Sequence, residues 1–281
     1  MRFDDWNSHG GIFIFSAVGG SNPQIFKLNM KTIPLSEGSF TIDRTKLFIP
    51  FNAHLDDLQQ RTAGSLLVEV QPFVVITSTD IMLLDTGLGF EKEGSLQIHQ
   101  TLKENGINPS QVSKVLLSHL HKDHAGGVSR EDRLSSMREL SFPNAKYYVQ
   151  QRELDYALEK GFPSYITHEL ELLQESPQVV FLNEDAGVID DYIFYEVTRA
   201  HSPWHQVFWI KENEDIIFFG GDDAPQLHQM KHRFVAKYDY DGKKAAVLRN
   251  EWWEKGEKEG WIFLFYHDIK TPIVQNKTID K

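Results

Sequence analysis

The sequence predicts a layered α/β protein with two sheets or one large mixed sheet. Three observations carry this. Short apolar runs bounded by turn residues recur along the chain. Helical periodicity is confined to a few separate stretches. Residues of metal-ligand type follow the apolar runs, and sheets of this kind gather their sites beyond strand ends.

Taken in order, residues 24–28, 32–35 and 46–49 read as short strands. Residues 65–70, 73–77 and 81–84 follow, separated by Pro72 and by Ser78-Thr79-Asp80, and read as hairpins. Residues 95–105 read as a helix with Leu96, Ile98 and Leu102 on one side and Gly106 as its stop. Residues 114–117 form a short buried strand. The segment 129–175 is more polar and more helical, with its best helix at 152–159 before Gly161 and Pro163. Strands are predicted again at 179–182, 192–197, 206–210 and 216–219. A helix at 243–258 turns Ala245, Ala246, Leu248 and Trp252 or Trp253 inward, and 261–266 is a last buried strand.

Composition narrows the function. The net charge is −11, and no long Lys/Arg run occurs, which argues against nucleic acid and against an anionic membrane surface. No apolar stretch reaches the roughly 20 residues that span a bilayer. The apolar run at 11–19 lacks a basic leader, since Asp4 and Asp5 offset Arg2, and reads as an early strand or a poorly ordered tail. The absence of Cys removes disulfides, Fe–S clusters, thiolate zinc sites and a Cys nucleophile. A cytoplasmic protein acting on a small molecule is expected.

The stretch His119-Leu120-His121-Lys122-Asp123-His124 concentrates donors directly after Val115-Leu116-Leu117. A solvated polar loop is the plain alternative, but neutral imidazole with carboxylate is the ligand set of zinc, manganese and iron. The theme recurs. Asp85 follows residues 81–84, His201 and His205 follow 192–197, Asp222 and Asp223 follow 216–219 and Gly220-Gly221, and His267 follows 261–266. One metal takes three or four ligands, and there are enough here for two.

With these motifs in this order, the sequence resembles the metallo-β-lactamase-fold hydrolases from about residue 25 to 268. The Tyr238-Asp239-Tyr240-Asp241-Gly242 stretch and the Tyr266-His267-Asp268-Ile269 ending resemble the lactonase and organophosphate-hydrolase branch, which includes the acyl-homoserine lactonases. The resemblance implies an αββα sandwich of two mixed β-sheets flanked by helices, with residues 1–24 as an extension and 25–281 as one hydrolase domain. It implies two divalent ions, zinc foremost, with manganese, iron or cobalt open. His119, His121 and His201 would hold the first, Asp123, His124 and His267 the second, and Asp222 would bridge them. Asp223 is the alternative bridge. Asp85 would steady the histidine loop, and His205 matches a structural position. Members lacking the Asp222 bridge, relying on Cys, or carrying Glu at the position of His121 are set aside.

The chemistry implied is hydrolysis. Hydroxide formed between the metals attacks a lactone, an N-acyl-homoserine lactone of quorum signalling among the candidates, with Asp123 passing the proton and Asp222 setting the metal spacing. A glyoxalase II-like thioesterase, a phosphotriesterase and a non-enzymatic metal-binding sensor are the alternatives. Relatives are often homodimers. One departure stands out: some lactonases carry a carbonyl-polarising Tyr where this chain has Pro225, leaving Tyr238 or Tyr240 as substitutes. Phe51, Phe90, Phe162, Tyr165 and Trp204 either line an acyl pocket or are ordinary core aromatics. His228 and His232 are expected at the surface or the pocket rim.

Overall fold

Alternation along each strand decides the layers of this computed structural model, which describes residues 30–131 and 137–275. Successive side chains of a strand point to opposite faces. In one six-stranded sheet the order is Lys31–Pro34, Phe73–Ile76, Ile81–Leu84, Lys114–Leu116, Lys146–Gln150, Val179–Leu182. The first three strands are antiparallel neighbours, and the rest run parallel from Ile81–Leu84 onward. Val74, Leu83, Val115, Tyr147 and Val149 face an outer core with the helix Gln97–Glu104 and the helix Gln151–Lys160. Phe73, Val75, Met82, Leu84, Leu116 and Tyr148 face the other way, into the space between the sheets.

The second six-stranded sheet runs Ala186–Ile189, Ile193–Val197, Gln206–Glu212, Asp215–Phe219, Ile262–Leu264, Ile273–Gln275. All its pairs are antiparallel except Asp215–Phe219 with Ile262–Leu264. Phe208, Ile210, Ile217, Phe219 and Leu264 meet the first sheet. Val207, Trp209, Phe218 and Phe263 pack on Trp252 of the long helix Gly242–Glu259. The result is helix, sheet, sheet, helix. Full burial of each such side chain contributes roughly 1.5–3 kcal/mol, so the three cores dominate the favourable side of folding. A small sheet, Ile49–Pro50, Gly38–Ile42 and Leu66–Val70, flanks the sandwich.

The helices start and stop where side chains satisfy their ends. Asn105 ends the first helix and Gly106 follows at φ +76°. Gln150 caps Gln151–Lys160 by accepting from the Arg152 amide, and Asp241 caps Gly242–Glu259 by accepting from the Lys244 amide. On that last helix Ala245 and Trp252 are buried as expected, but the residue buried between them is Arg249, not Leu248 or Ala246. Its guanidinium donates to the backbone oxygens of Asp223 and Phe234.

Three expectations need correction. Lys146–Gln150 lies in the segment read as helical, yet it is a central parallel strand. Its Tyr-Tyr-Val run is the β-type signal, masked by the helical sequence after it. Only Ile49 of residues 46–49 is in a strand; Lys46 sits in a turn at φ +59°, with its amide bonded to the Asp43 carbonyl. The short edge strands at Ala186–Ile189 and Ile273–Gln275 add to the second sheet beyond what the apolar runs show. The extension at 1–24 and the strand expected at 24–28 lie outside the described residues. Among the described residues, no helix is long and apolar enough to cross a membrane.

The loop after Ile81–Leu84 is laced to the histidine loop. The Thr86 amide donates to the His124 carbonyl (2.7 Å) and the Gly126 amide to the Gly87 carbonyl (2.9 Å). A Cβ on Gly127 would stand 2.2 Å from the Thr86 carbonyl oxygen. Gly127→Ala is therefore expected to cost about 1–3 kcal/mol in denaturant unfolding, the usual range for overpacking. Unchanged stability would show that the two loops are not locked together.

Candidate metal centre

Every residue singled out in the sequence as a ligand leaves the C-terminal end of a strand, and the two facing sheets aim these ends at one place. The loop after Lys114–Leu116 brings His119, His121, Asp123 and His124, the last two within the short helix Lys122–Ala125. His201 comes from the connection between Ile193–Val197 and Gln206–Glu212. Asp222 follows Asp215–Phe219, and His267 follows Ile262–Leu264. All seven converge. His119, His121, His201 and Asp222 offer ligand atoms within 4.8 Å of one another, as do Asp123, His124 and His267.

Asp222 joins the two groups. Its Oδ1 lies 3.1 Å from His124 Nε2 and 2.9 Å from His267 Nε2. Its Oδ2 lies 3.1 Å from His201 Nε2 and 3.9 Å from His119 Nε2. His121 Nδ1 is 2.9 Å from His119 Nε2 and 3.1 Å from His201 Nε2. Asp123 Oδ2 stands 3.5 Å from His267 Nε2 and 3.7 Å from His124 Nε2. His124 Nε2 and Asp222 Oδ1 are buried without a well-formed hydrogen bond among the described residues. Such atoms are costly to bury unless something pairs with them. Two divalent cations, each among imidazole nitrogens and a shared carboxylate, would supply that pairing, and this donor set suits zinc, manganese, iron or cobalt.

The outward nitrogen of four imidazoles is held, which points the other lone pair inward. His124 Nδ1 lies 2.7 Å from Asp85 Oδ2. His201 Nδ1 is 2.8 Å from Asp239 Oδ1, and His267 Nδ1 is 2.6 Å from the Glu69 carbonyl oxygen. His119 Nδ1 is 3.1 Å from Ser118 Oγ. That hydroxyl already gives its proton to Asp85, so it accepts from His119. Asp85 also accepts from the Ser118 amide, and it sits at φ +58° with its side chain fully buried. It ties the loop, as the sequence suggested.

His205 and Asp223 form the next layer. His205 Nδ1 lies 3.1 Å from Asp223 Oδ2, while its Nε2 accepts from the Asp222 amide at 3.2 Å. Asp223 also accepts from the His201 amide at 2.7 Å. Its carboxylate is turned away from both ligand groups, so the alternative bridge is overturned. Gly221 makes this possible: at φ +48°, a Cβ would stand 2.8 Å from both His205 Nε2 and Ser118 Oγ.

The electrostatics fit the geometry. Burial and the neighbouring imidazoles hold His119 well below the usual histidine range. Burial, then His201, does the same to His121, with Lys46 adding a smaller push in that direction. Burial also disfavours charge on His124 and His201. There the nearby carboxylates win, Asp222 foremost, leaving His124 well above its ordinary value and His201 at about 9.

A cavity of about 270 Å³ opens onto His121, Asp123, His201, Asp222 and His267. Its apolar walls include Phe48, Leu66 and Tyr238. The aromatics suggested as a pocket lining are elsewhere. Trp204 is sandwiched by Arg152 and Arg199, with guanidinium carbons 4.3 and 4.8 Å from its ring centroid. Tyr165 is buried behind His121, ring centroids 4.9 Å apart, with its hydroxyl on Glu153. Phe162 is 73% exposed, and Phe90 packs edge-on to Phe40. Phe51 faces Arg61. Pro225 contributes its carbonyl, which accepts from the His267 amide. Of the two substitute tyrosines, Tyr238 lines the cavity and Tyr240 does not. His228 and His232 are exposed and contact each other, ring centroids 4.5 Å apart.

Sequence reasoning missed Asp239, Ser118 and the Glu69 carbonyl as orienting groups. Ser118 could have been found as the residue between a strand and the first His. Nothing local marks Asp239, although its stretch was singled out. Asp239→Asn is expected to weaken metal affinity about 10–100-fold with the fold retained, measured by competition with a chromophoric chelator. Unaltered affinity would mean that His201 needs no such partner. Because a raised His201 must lose its proton before binding metal, affinity should climb with pH up to about 9. Zinc competition at pH 6.5 and 8.0 tests this, and equal affinities would contradict it.

With the geometry in hand, comparison with known proteins is informative. Residues 68–252 match the metallo-beta-lactamase superfamily. The N-acyl homoserine lactonase AttM of Azorhizobium caulinodans is 32% identical over 123 residues, which is 39% of this chain and 40% of that protein. A probable metal-dependent hydrolase from Staphylococcus aureus has the same fold, with a TM-score of 0.67 at 19% identity, covering 90% of this chain and 95% of the other. So does AidC, a dizinc quorum-quenching lactonase, with a TM-score of 0.65 at 18% identity, covering 87% and 89%. The curated match spans well under two thirds of AttM, and the structural likenesses speak to fold alone. The family match covers most of the chain and includes every motif of the candidate centre except His267, so this chain belongs to the metallo-beta-lactamase superfamily.

Proposed function

We propose that the protein is a dinuclear metal-dependent hydrolase that opens lactones, N-acyl-homoserine lactones among them. The observation that carries this reading is the Asp222 carboxylate, one oxygen turned to each ligand group. Two ions held there supply Lewis acidity and a water that ionises near neutral pH, zinc being the first candidate. The similarity to AttM, a lactonase, supports the substrate class.

The chain's own residues then have separate tasks. Asp222 sets the spacing of the two ligand groups. Asp123 projects one carboxylate oxygen toward His124 and His267. Asp123 is the residue assigned to take a proton from the attacking water and return it to the leaving alkoxide. Tyr266 donates from its phenol to the Asp123 backbone carbonyl at 2.6 Å and stacks on His124, ring centroids 4.0 Å apart, so the backbone that carries both ligands is fixed from behind. On the cavity wall, the Tyr238 phenol takes the place of the tyrosine missing at Pro225 and donates to the substrate carbonyl. The apolar wall around Phe48 and Leu66 excludes water from the ring and the start of an acyl chain.

The test is an assay of metal-loaded protein, with and without chelator, against homoserine lactones of different acyl length, an aryl lactone, S-lactoylglutathione and paraoxon. Lactone turnover that chelator abolishes and that His119→Ala with His121→Ala eliminates together with metal binding is the expected result. Turnover of the thioester or the phosphotriester alone would reassign the substrate. A fully metallated protein that hydrolyses none of them would point to a sensor.

A further inference from the structure

The chain carries a net charge of −11, yet the mouth of its cavity is basic. Arg44, Lys46 and Lys122 all line it; of the lining acids, Asp123 and Asp222 belong to the ligand groups, which leaves Asp43, and Glu169 lies near Lys122. Asp43 is engaged locally: its Oδ1 accepts from the Thr45 amide at 2.8 Å and from the Thr45 hydroxyl. None of the three cations forms an ion pair among the described residues.

Their placement is built by the fold. The turn closed by the Lys46 amide on the Asp43 carbonyl swings Lys46 toward the opposite wall, where its ammonium meets the Ser164 hydroxyl. The same residue anchors Lys122, whose amide donates to the Ser164 carbonyl at 2.9 Å. Lys122 then runs between aromatic rings, its ammonium 5.8 Å from the Phe48 centroid and 5.9 Å from that of Phe162. Two ammonium groups are thus drawn to one side of a small opening, with a guanidinium on the same rim. Like charges repel, and the Ser164 hydroxyl and the rings of Phe48 and Phe162 hold the two ammonium groups in place without neutralising either charge, so the pair remains available to an anion. A cleft with low-dielectric walls also focuses such a field on whatever enters.

Resting on the hydrolase reading above, we infer that the natural substrate bears an anionic group, carboxylate or phosphate, remote from its scissile bond, and that Arg44, Lys46 and Lys122 receive it. The apolar wall then spans the distance between the charged end and the reacting carbonyl. This determines specificity among esters rather than the chemistry itself, so the three residues are specificity-determining and take no part in bond making.

The experiment compares three lactones that share one ring and differ only at the acyl end: N-hexanoyl, N-adipoyl and 6-phosphohexanoyl homoserine lactone. Metal-loaded wild type is expected to favour an anionic member at least fivefold in kcat/KM over the neutral one. Whichever of carboxylate and phosphate leads identifies the group. The ratio should fall toward one in Arg44→Gln/Lys46→Met/Lys122→Met, persist in Lys46→Arg, and shrink as NaCl is raised. A wild-type ratio at or below one, or a ratio that survives the triple variant, overturns the inference. Should no lactone turn over, the lactonase reading fails by itself. Calorimetric binding of N-adipoyl-homoserine against N-hexanoyl-homoserine then decides the inference: tighter binding of the dianion by wild type and not by the triple variant upholds it, and equal binding removes it.

Discussion

A single carboxylate, largely buried at the floor of the cavity, holds the organisation of the candidate centre together. Asp222 sits among four imidazoles contributed by loops of both sheets, and it turns one carboxylate oxygen to each ligand group. A carboxylate in that position is strongly opposed by burial, and only the charges of His124, His267 and His201 hold it ionised. The sheets must therefore pack in one register. The inner faces of Phe208, Ile210, Ile217 and Phe219 against Phe73, Val75 and Met82 fix that register. A one-residue slip of a strand within its sheet would turn its inner-face side chains to the other side and displace the ligand that follows it.

Around this centre the chain builds a scaffold of ordinary hydrogen bonds. Asp85, Ser118, Asp239 and the Glu69 carbonyl each take the outward nitrogen of one histidine. Behind them, Asp223 and His205 hold the backbone of His201 and Asp222. Arg249 reaches from the last helix to the Asp223 carbonyl, so even the outer helical layer is coupled to the bridging loop. This arrangement keeps the rings from rotating and leaves little reorganisation for the reaction itself.

Much of this was legible from residues alone, for identifiable reasons. Short apolar runs bounded by turn residues marked the strands that build the inter-sheet core. The donors could be read because each follows an apolar run, whereas the choice of Asp222 over Asp223 came from the family resemblance. What could not be read was non-local. Lys146–Gln150 lies between a polar loop and a true helix, and its five residues are too few for periodicity to outvote that context. The walls of the cavity depend on the small flanking sheet, whose pairing of Gly38–Ile42 with Leu66–Val70 brings Phe48 and Leu66 to the mouth. Exposed Phe162 and stacked Trp204 show why aromatic content is no guide to a pocket. The basic residues at the mouth form no run in the sequence: they come from residues 44–46 and from the histidine loop itself.

The most direct test of the central claim is metal content and spacing together. Protein loaded with zinc and freed of excess should hold two ions per chain, and X-ray absorption should place them about 3.5–4 Å apart. Replacing Asp222 with Asn should abolish that short separation. One ion per chain in the fully loaded wild type, or a pair whose spacing ignores Asp222, would contradict the account.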